Sequence, residues 1–150
     1  MENLLSRVFD LRAINLDLDN KTKEKAFVEL IDSIADFHPE CNRSELFTAI
    51  REREEKMNTG IGNGVAIPHI SYRGIGKITG AIGISRHGID YGAMDNIPVQ
   101  VIFLLITGDH PEENHLLVMN HILKLIQSEA FLLIKNAKNA QDIHAILTRN

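Results

Sequence analysis

The sequence is poor in the features that would tie it to several common roles. A single cysteine, Cys41, excludes an internal disulfide and suits a reducing compartment. No stretch approaches the ~20 consecutive apolar residues of a membrane-spanning helix. The start, Met1-Glu2-Asn3-Leu4-Leu5, lacks the basic and apolar regions of a secretory signal. Positive charge is not in surplus: a formal net charge of −4 speaks against nucleic-acid binding, which needs a basic surface to neutralise phosphates. Like charges do not run together either. The densest cluster, Arg51-Glu52-Arg53-Glu54-Glu55-Lys56, alternates in sign and reads as a solvated helix face. No repeat, low-complexity tract or linker divides the chain. What these absences leave is a cytoplasmic globular protein, with residues 1–150 as one domain, neither inserted in a membrane nor bound to nucleic acid.

What is present is a change of period along the chain. Residues 12–18 alternate apolar and polar positions and predict a half-buried strand. Over residues 21–37, Ala26, Leu30, Ile31, Ile34 and Phe37 recur at steps of three and four, which predicts a helix ended by Pro39. Asn42 or Ser44 caps a second helix that turns Leu46, Phe47 and Ile50 inward. Glycine then concentrates: nine of the chain's 10 lie between Thr59 and Gly92, so this part of the backbone makes turns and close approaches between short strands. Residues 78–85 read as a strand. Residues 98–106 are almost unbrokenly apolar, the pattern of a central strand covered on both faces. Past residue 109 the helical period returns with Leu116, Met119, Ile122, Leu123 and Ile126, and shorter helices are predicted near 129–135 and 140–148. Helices before and after a block of strands predict an α/β fold, a three-layer α/β/α sandwich with a small mixed parallel and antiparallel sheet flanked by helices.

The chemistry concentrates in Asn58-Thr59-Gly60-Ile61-Gly62-Asn63-Gly64-Val65-Ala66-Ile67-Pro68-His69. The glycines make GxGxG rather than GxGxxG, and the run leads into Ala-Ile-Pro instead of a helix, so a dinucleotide site is a poor fit. No Lys-Ser or Lys-Thr pair closes the loop as a phosphate loop requires. His69 follows a proline whose φ is fixed, and an imidazole held in a defined direction offers a lone pair near neutral pH. The cluster His110, His115 and His121 has spacings of five and six, which put neighbours on different helix faces, so no metal is assigned.

The stretch from Gly60 to His69 resembles the phosphorylation-site motif of the enzyme IIA proteins of the phosphoenolpyruvate-dependent phosphotransferase system, in the fructose–mannitol–nitrogen branch. The likeness covers most of the chain. Arg53-Glu54 stands where the family places its active-site arginine. His115-Leu116-Leu117 stands where it places a second active-site histidine. Gly88-Ile89-Asp90-Tyr91 through Asp95, and then Pro98-Val99, also fit. The resemblance implies that His69 accepts a phosphoryl group on Nε2, with Arg53 and His115 on its oxygens. Thr59 and the amides of Gly60, Gly62, Asn63 and Gly64 are expected as further phosphate contacts. It implies an HPr-type phosphocarrier, or a nitrogen-branch paralogue, as donor. The onward partner is a regulated target protein or an enzyme IIB, and no metal or cofactor takes part. Cys41 lacks the Gly/Ser cradle of an enzyme IIB cysteine and reads as an ordinary thiol. The wording Gly62-Asn63-Gly64 favours a nitrogen-regulatory member. A sugar-dedicated member is the alternative, and a non-catalytic interaction domain of the same fold is the alternative from another class.

Overall fold

The structure, a computed structural model, describes residues 3–18, 22–108 and 111–150, the side chains of 111–114 excepted. A short helix α1 (Leu4–Val8) and a 3-10 turn (Leu11–Ala13) lead into β1 (Ile14–Asn15). Two helices follow, α2 (Lys23–Ala35) and α3 (Arg43–Lys56), and then β2 (Gly60–Gly62), β3 (Val65–Ala66) and β4 (His69–Ser71). The long strands β5 (Thr79–Ile89) and β6 (Val99–Thr107) precede α4 (Pro111–Ile126), α5 (Ala130–Lys135) and α6 (Ala140–Arg149). The sheet runs β1-β5-β6-β3-β2, with β4 also on β6. β5 and β6 are antiparallel, and β3 and β4 run parallel to β6.

The register explains why two short strands share one edge of β6. Val65 pairs with Val101, Ala66 with Ile102, His69 with Leu105 and Ser71 with Thr107, an offset of 36 residues throughout. Residues 65–71 are thus one strand whose ladder is interrupted at Pro68, which has no N–H to donate. Its carbonyl still accepts from the Leu105 amide at 2.9 Å. The interruption leaves His69 in register at the C-terminal end of β6.

Both faces of the sheet are covered, as the apolar run predicts. Ile102, Leu104 and Ile106 pack with Leu30 and Ile34 of α2 and with Leu46 and Ile50 of α3. Val101, Phe103 and Leu105 pack on the other face with Val118 and Ile122 of α4, Phe131 of α5 and Ile143 of α6. This is the expected three-layer α/β/α arrangement around a mixed sheet. Asn42, rather than Ser44, caps α3 by accepting from the Glu45 amide at 3.0 Å, a bond of the kind that contributes about 1 kcal/mol. Among the described residues no helix is long and apolar enough to cross a membrane.

Two local expectations need correction. Residues 12–18 are not one strand. The Asp10 carboxylate accepts from the Arg12 amide at 2.8 Å and the Asn15 side chain accepts from the Asp17 amide at 3.0 Å, and these local bonds compete with the ladder. Only Ile14 and Asn15 pair, in parallel, with β5. The charged cluster 51–56 is not wholly solvated either: Glu54 is buried.

Gly80 offers a test of the β5–β6 packing. A Cβ there would collide with the Leu104 carbonyl oxygen and come within 2.6 Å of Phe9 Cε1. The backbone oxygen cannot move aside without breaking the antiparallel pair. Gly80→Ala is expected to cost about 1–3 kcal/mol, read as a lower urea midpoint at unchanged slope.

Candidate functional site

The break at Pro68 decides where His69 sits. Val65 and Ile67 turn toward the α4 side of the sheet, and the alternation carries His69 the same way, beyond the last fully covered position. Residues from the end of α3 and the start of α4 line the cleft there. Arg53 comes from the last turns of α3 and His115 from the beginning of α4. The three sequence-predicted residues line one cleft of about 440 Å³, together with Ser71, Thr107 and Leu116.

Hydrogen bonds set the imidazole. His69 Nδ1 lies 2.8 Å from the Ile67 carbonyl oxygen. A carbonyl only accepts, so Nδ1 carries the proton and, in the neutral ring, Nε2 presents its lone pair. Arg53 Nη2 donates toward that lone pair at 3.4 Å, and Nη1 donates to the Met57 carbonyl at 3.0 Å. One edge of the guanidinium is therefore tethered while the other faces the reactive nitrogen. The His115 ring lies 5.0 Å from that of His69, centroid to centroid, tilted by 48°. Such a site suits a loose phosphoryl transfer, with a nucleophilic nitrogen, a planar cation beside it and a second imidazole across the gap.

Burial first, and the neighbouring His69 second, push the His115 imidazole below its ordinary value near 6.5. The unfolded chain therefore binds this proton more readily than the folded one. The corresponding stability is fully present above pH ~6.5 and is lost as the pH falls from there toward the lowered folded value. In urea titrations the wild type is expected to lose midpoint between pH 7 and 5 more steeply than His115→Asn. Equal slopes would remove His115 as the source.

The glycine-rich loop does not reach the cleft wall that Arg53, His69 and His115 share. None of Thr59, Gly60, Gly62, Asn63 and Gly64 lines the cleft. β2 and β3 form a hairpin, and Asn63 and Gly64 at its tip have φ of 57° and 80°, which a tight hairpin turn demands. Two of the loop amides are engaged within the chain: Gly60 donates to Asn58 Oδ1 at 2.7 Å and Asn63 to Asp95 Oδ2 at 2.9 Å. The Thr59 side chain is buried and its hydroxyl donates to Glu54. In the structure these residues form the β2–β3 hairpin and, at Thr59, the contact with Glu54.

Cys41 is buried, and burial together with Glu40 pushes its thiol up, away from reactivity. His110 lies outside the described residues. Among the described residues no three His, Cys, Asp or Glu side chains gather as a metal ion would need. Ser71 and Thr107 were not legible as lining residues, because only the 36-residue register brings them opposite each other. Glu54 was legible as half of an Arg-Glu pair but not as a buried group. It pairs with Lys23 at 2.9 Å, and removing the Lys23 charge alone would leave the Glu54 carboxylate buried without its ion partner, a loss of about 3–5 kcal/mol in such settings.

Comparison with known proteins extends the likeness over nearly the whole chain. The family model for the phosphoenolpyruvate-dependent sugar phosphotransferase system, EIIA 2, matches residues 7–150. A fructose-specific EIIA component from Haloferax volcanii is 31% identical over 125 residues, covering 83% of this chain and 81% of that protein. A nitrogen regulatory protein from Bradyrhizobium diazoefficiens is 29% identical over 127 residues, covering 84% and 82%. The crystal structure of the nitrogen regulatory protein IIA-Ntr from Neisseria meningitidis aligns with a TM-score of 0.88 at 27% identity, over 97% of this chain and 100% of that one. With Arg53, His69 and His115 around one cleft and a family match spanning the sheet and all but the start of the first helix, this chain belongs to the EIIA type 2 family of the phosphoenolpyruvate-dependent phosphotransferase system, whose members are phosphotransfer components.

Proposed function

We propose that this chain is a phosphocarrier and that His69 Nε2 is its phosphoryl acceptor. The observation that carries the reading is the bond from His69 Nδ1 to the Ile67 carbonyl, which leaves Nε2 as the free nitrogen facing Arg53 and the cleft. In the transfer, the P–N bond of a donor phosphohistidine breaks as a P–N bond to Nε2 forms, while the proton stays on Nδ1, which donates it to the Ile67 carbonyl. Arg53 draws the charge of the moving group, and His115 donates a ring N–H to the same oxygens. No metal or cofactor is required. The donor is an HPr-type carrier or its nitrogen-branch paralogue, and residues 1–150 act as a single EIIA domain in the cytoplasm.

Within that role we take the nitrogen-regulatory reading first. It is supported by the likeness to IIA-Ntr at 27% identity across nearly the full chain, and by the Gly62-Asn63-Gly64 wording. Phosphorylation then acts by changing which target protein is bound. The second reading, delivery to an enzyme IIB cysteine for fructose-type uptake, is supported by the 31% identity to a fructose-specific EIIA component.

The test is a reconstituted relay. With phosphoenolpyruvate, enzyme I and HPr, the chain is expected to gain the mass of one phosphoryl group, labile to acid and stable to base. A chain that stays unmodified with both HPr and its nitrogen-branch counterpart would overturn the carrier reading. Chasing the phosphorylated chain with a fructose-type enzyme IIB separates the two roles: rapid, complete loss of the group supports uptake, and retention supports regulation.

A further inference from the structure

Glu54 is a buried carboxylate next to Arg53 that the transfer chemistry does not touch; it is 8% exposed. Its Oε2 receives Lys23 Nζ of α2 at 2.9 Å and the Thr59 amide at 3.1 Å. Its Oε1 accepts the hydroxyls of Thr59 and of Tyr91, the latter at 2.8 Å. Lys23 also lies 4.2 Å over the Tyr91 ring. Burial and the Glu54 carboxylate push the Tyr91 phenol well above its ordinary value, so it remains a donor. Every polar atom of the carboxylate is thus engaged, in a setting where a slack partner would be costly.

Two paths run from this cluster to the cleft. The turn at residues 57–59 leaves the end of α3 and returns to Glu54 through Thr59. Its Met57 carbonyl holds Arg53 Nη1 at 3.0 Å. Its Thr59 carbonyl accepts from the Ile67 amide at 3.0 Å, and the Ile67 carbonyl accepts from His69 Nδ1 at 2.8 Å. One clamped turn therefore fixes the tether of the guanidinium and the peptide that selects the imidazole tautomer.

We propose that Glu54, paired with Lys23, is a positioning residue that holds the 57–59 turn so that Arg53 Nη2 and His69 Nε2 stay aligned. The purpose of that alignment rests on the phosphocarrier reading; the alignment itself is measurable without phosphotransfer. A group that only stabilised the fold would lower the urea midpoint and leave the His69 tautomer unchanged.

The experiment is long-range proton–nitrogen NMR of histidine in the full chain, above pH 7.5, beside single-turnover phosphorylation by phospho-HPr. Wild type is expected to show His69 as one tautomer, protonated on Nδ1. In Glu54→Gln the two tautomers should mix, and transfer to His69 should fall by about 10–100-fold. If that variant does not fold, Lys23→Met/Glu54→Gln, which removes both charges and keeps an acceptor for the Thr59 amide, replaces it, and Thr59→Val tests the same arm without stranding a charge. A folded Glu54 variant with an unchanged tautomer overturns the proposal, whether its transfer rate stays within twofold of wild type or falls. Absence of phosphorylation in wild type would instead strike the carrier reading, and the tautomer measurement would still decide the role of Glu54.

Discussion

His69→Gln is expected to abolish phosphoryl uptake from phospho-HPr, with any residual rate at least about 10³-fold below wild type. Glutamine fills a similar volume, but its amide nitrogen has no free lone pair, so no P–N bond can form there. The fold should survive. The change removes one side-chain bond to the Ile67 carbonyl, worth about 1 kcal/mol, from a half-buried position. The relevant check is the site as well as the rate, because His115 lies only 5.0 Å away. Peptide mapping under alkaline conditions should find phosphohistidine at residue 69 in wild type and nowhere in the variant. Phosphate appearing on His115 in His69→Gln at a rate near wild type would sink the assignment of Nε2 of His69 as the acceptor.

The sheet and helices were largely legible because their signals are local. The apolar run 98–106 predicts a strand covered on both faces, and β6 is that strand. The helical periods over 21–37 and from 109 onward become α2 and α4. Where local side-chain bonds oppose the period, the pattern misleads, as at residues 12–18, where Asp10 and Asn15 draw the backbone into turns. Helix α1 is too short for its period to register, and its signal lies in the cap, where Asn3 and Ser6 bond each other's amides.

The candidate site was legible in its side chains and not in its support. The resemblance pointed to His69, Arg53 and His115, and they do share a cleft. It also suggested that a glycine-rich loop beside a phosphorylated histidine cradles phosphate. Composition cannot separate a loop whose amides face a ligand from a hairpin whose amides face their own neighbours, since both need positive φ at the same residue types. The Asn63-Gly64 pair was the available sign of a hairpin. Glu54 was hidden for the opposite reason. In an alternating charged run every residue looks solvated, and only the packing of α2, α3 and the 57–59 turn shows that one of them faces inward against Lys23.

Arg53→Lys is expected to slow phosphoryl transfer to His69 by about 10²–10³-fold, equivalent to ~2.7–4 kcal/mol of transition-state stabilisation. The substitution keeps the charge and so isolates geometry. Arg53 uses both edges of a rigid plane, one on the Met57 carbonyl and one toward Nε2. A lysine ammonium is a single point and cannot hold the tether and meet spread phosphoryl oxygens together. Stability should change by less than about 1 kcal/mol, because a positive charge remains in the last turns of α3, where Lys56 also lies. Rapid-quench measurements across donor concentrations separate the effects: the maximal rate should fall while half-saturation stays within a few-fold, since donor binding spreads over a wider surface than one side chain. A lysine variant within threefold of wild type would show that charge alone suffices. A normal maximal rate with weakened saturation would move Arg53 from the transferring group to the docking surface. Among the described residues Arg53 is the one Lys or Arg that lines the cleft, which suits a carrier rather than a terminal acceptor: one cation stabilises the group in transit without adding a second to retain it.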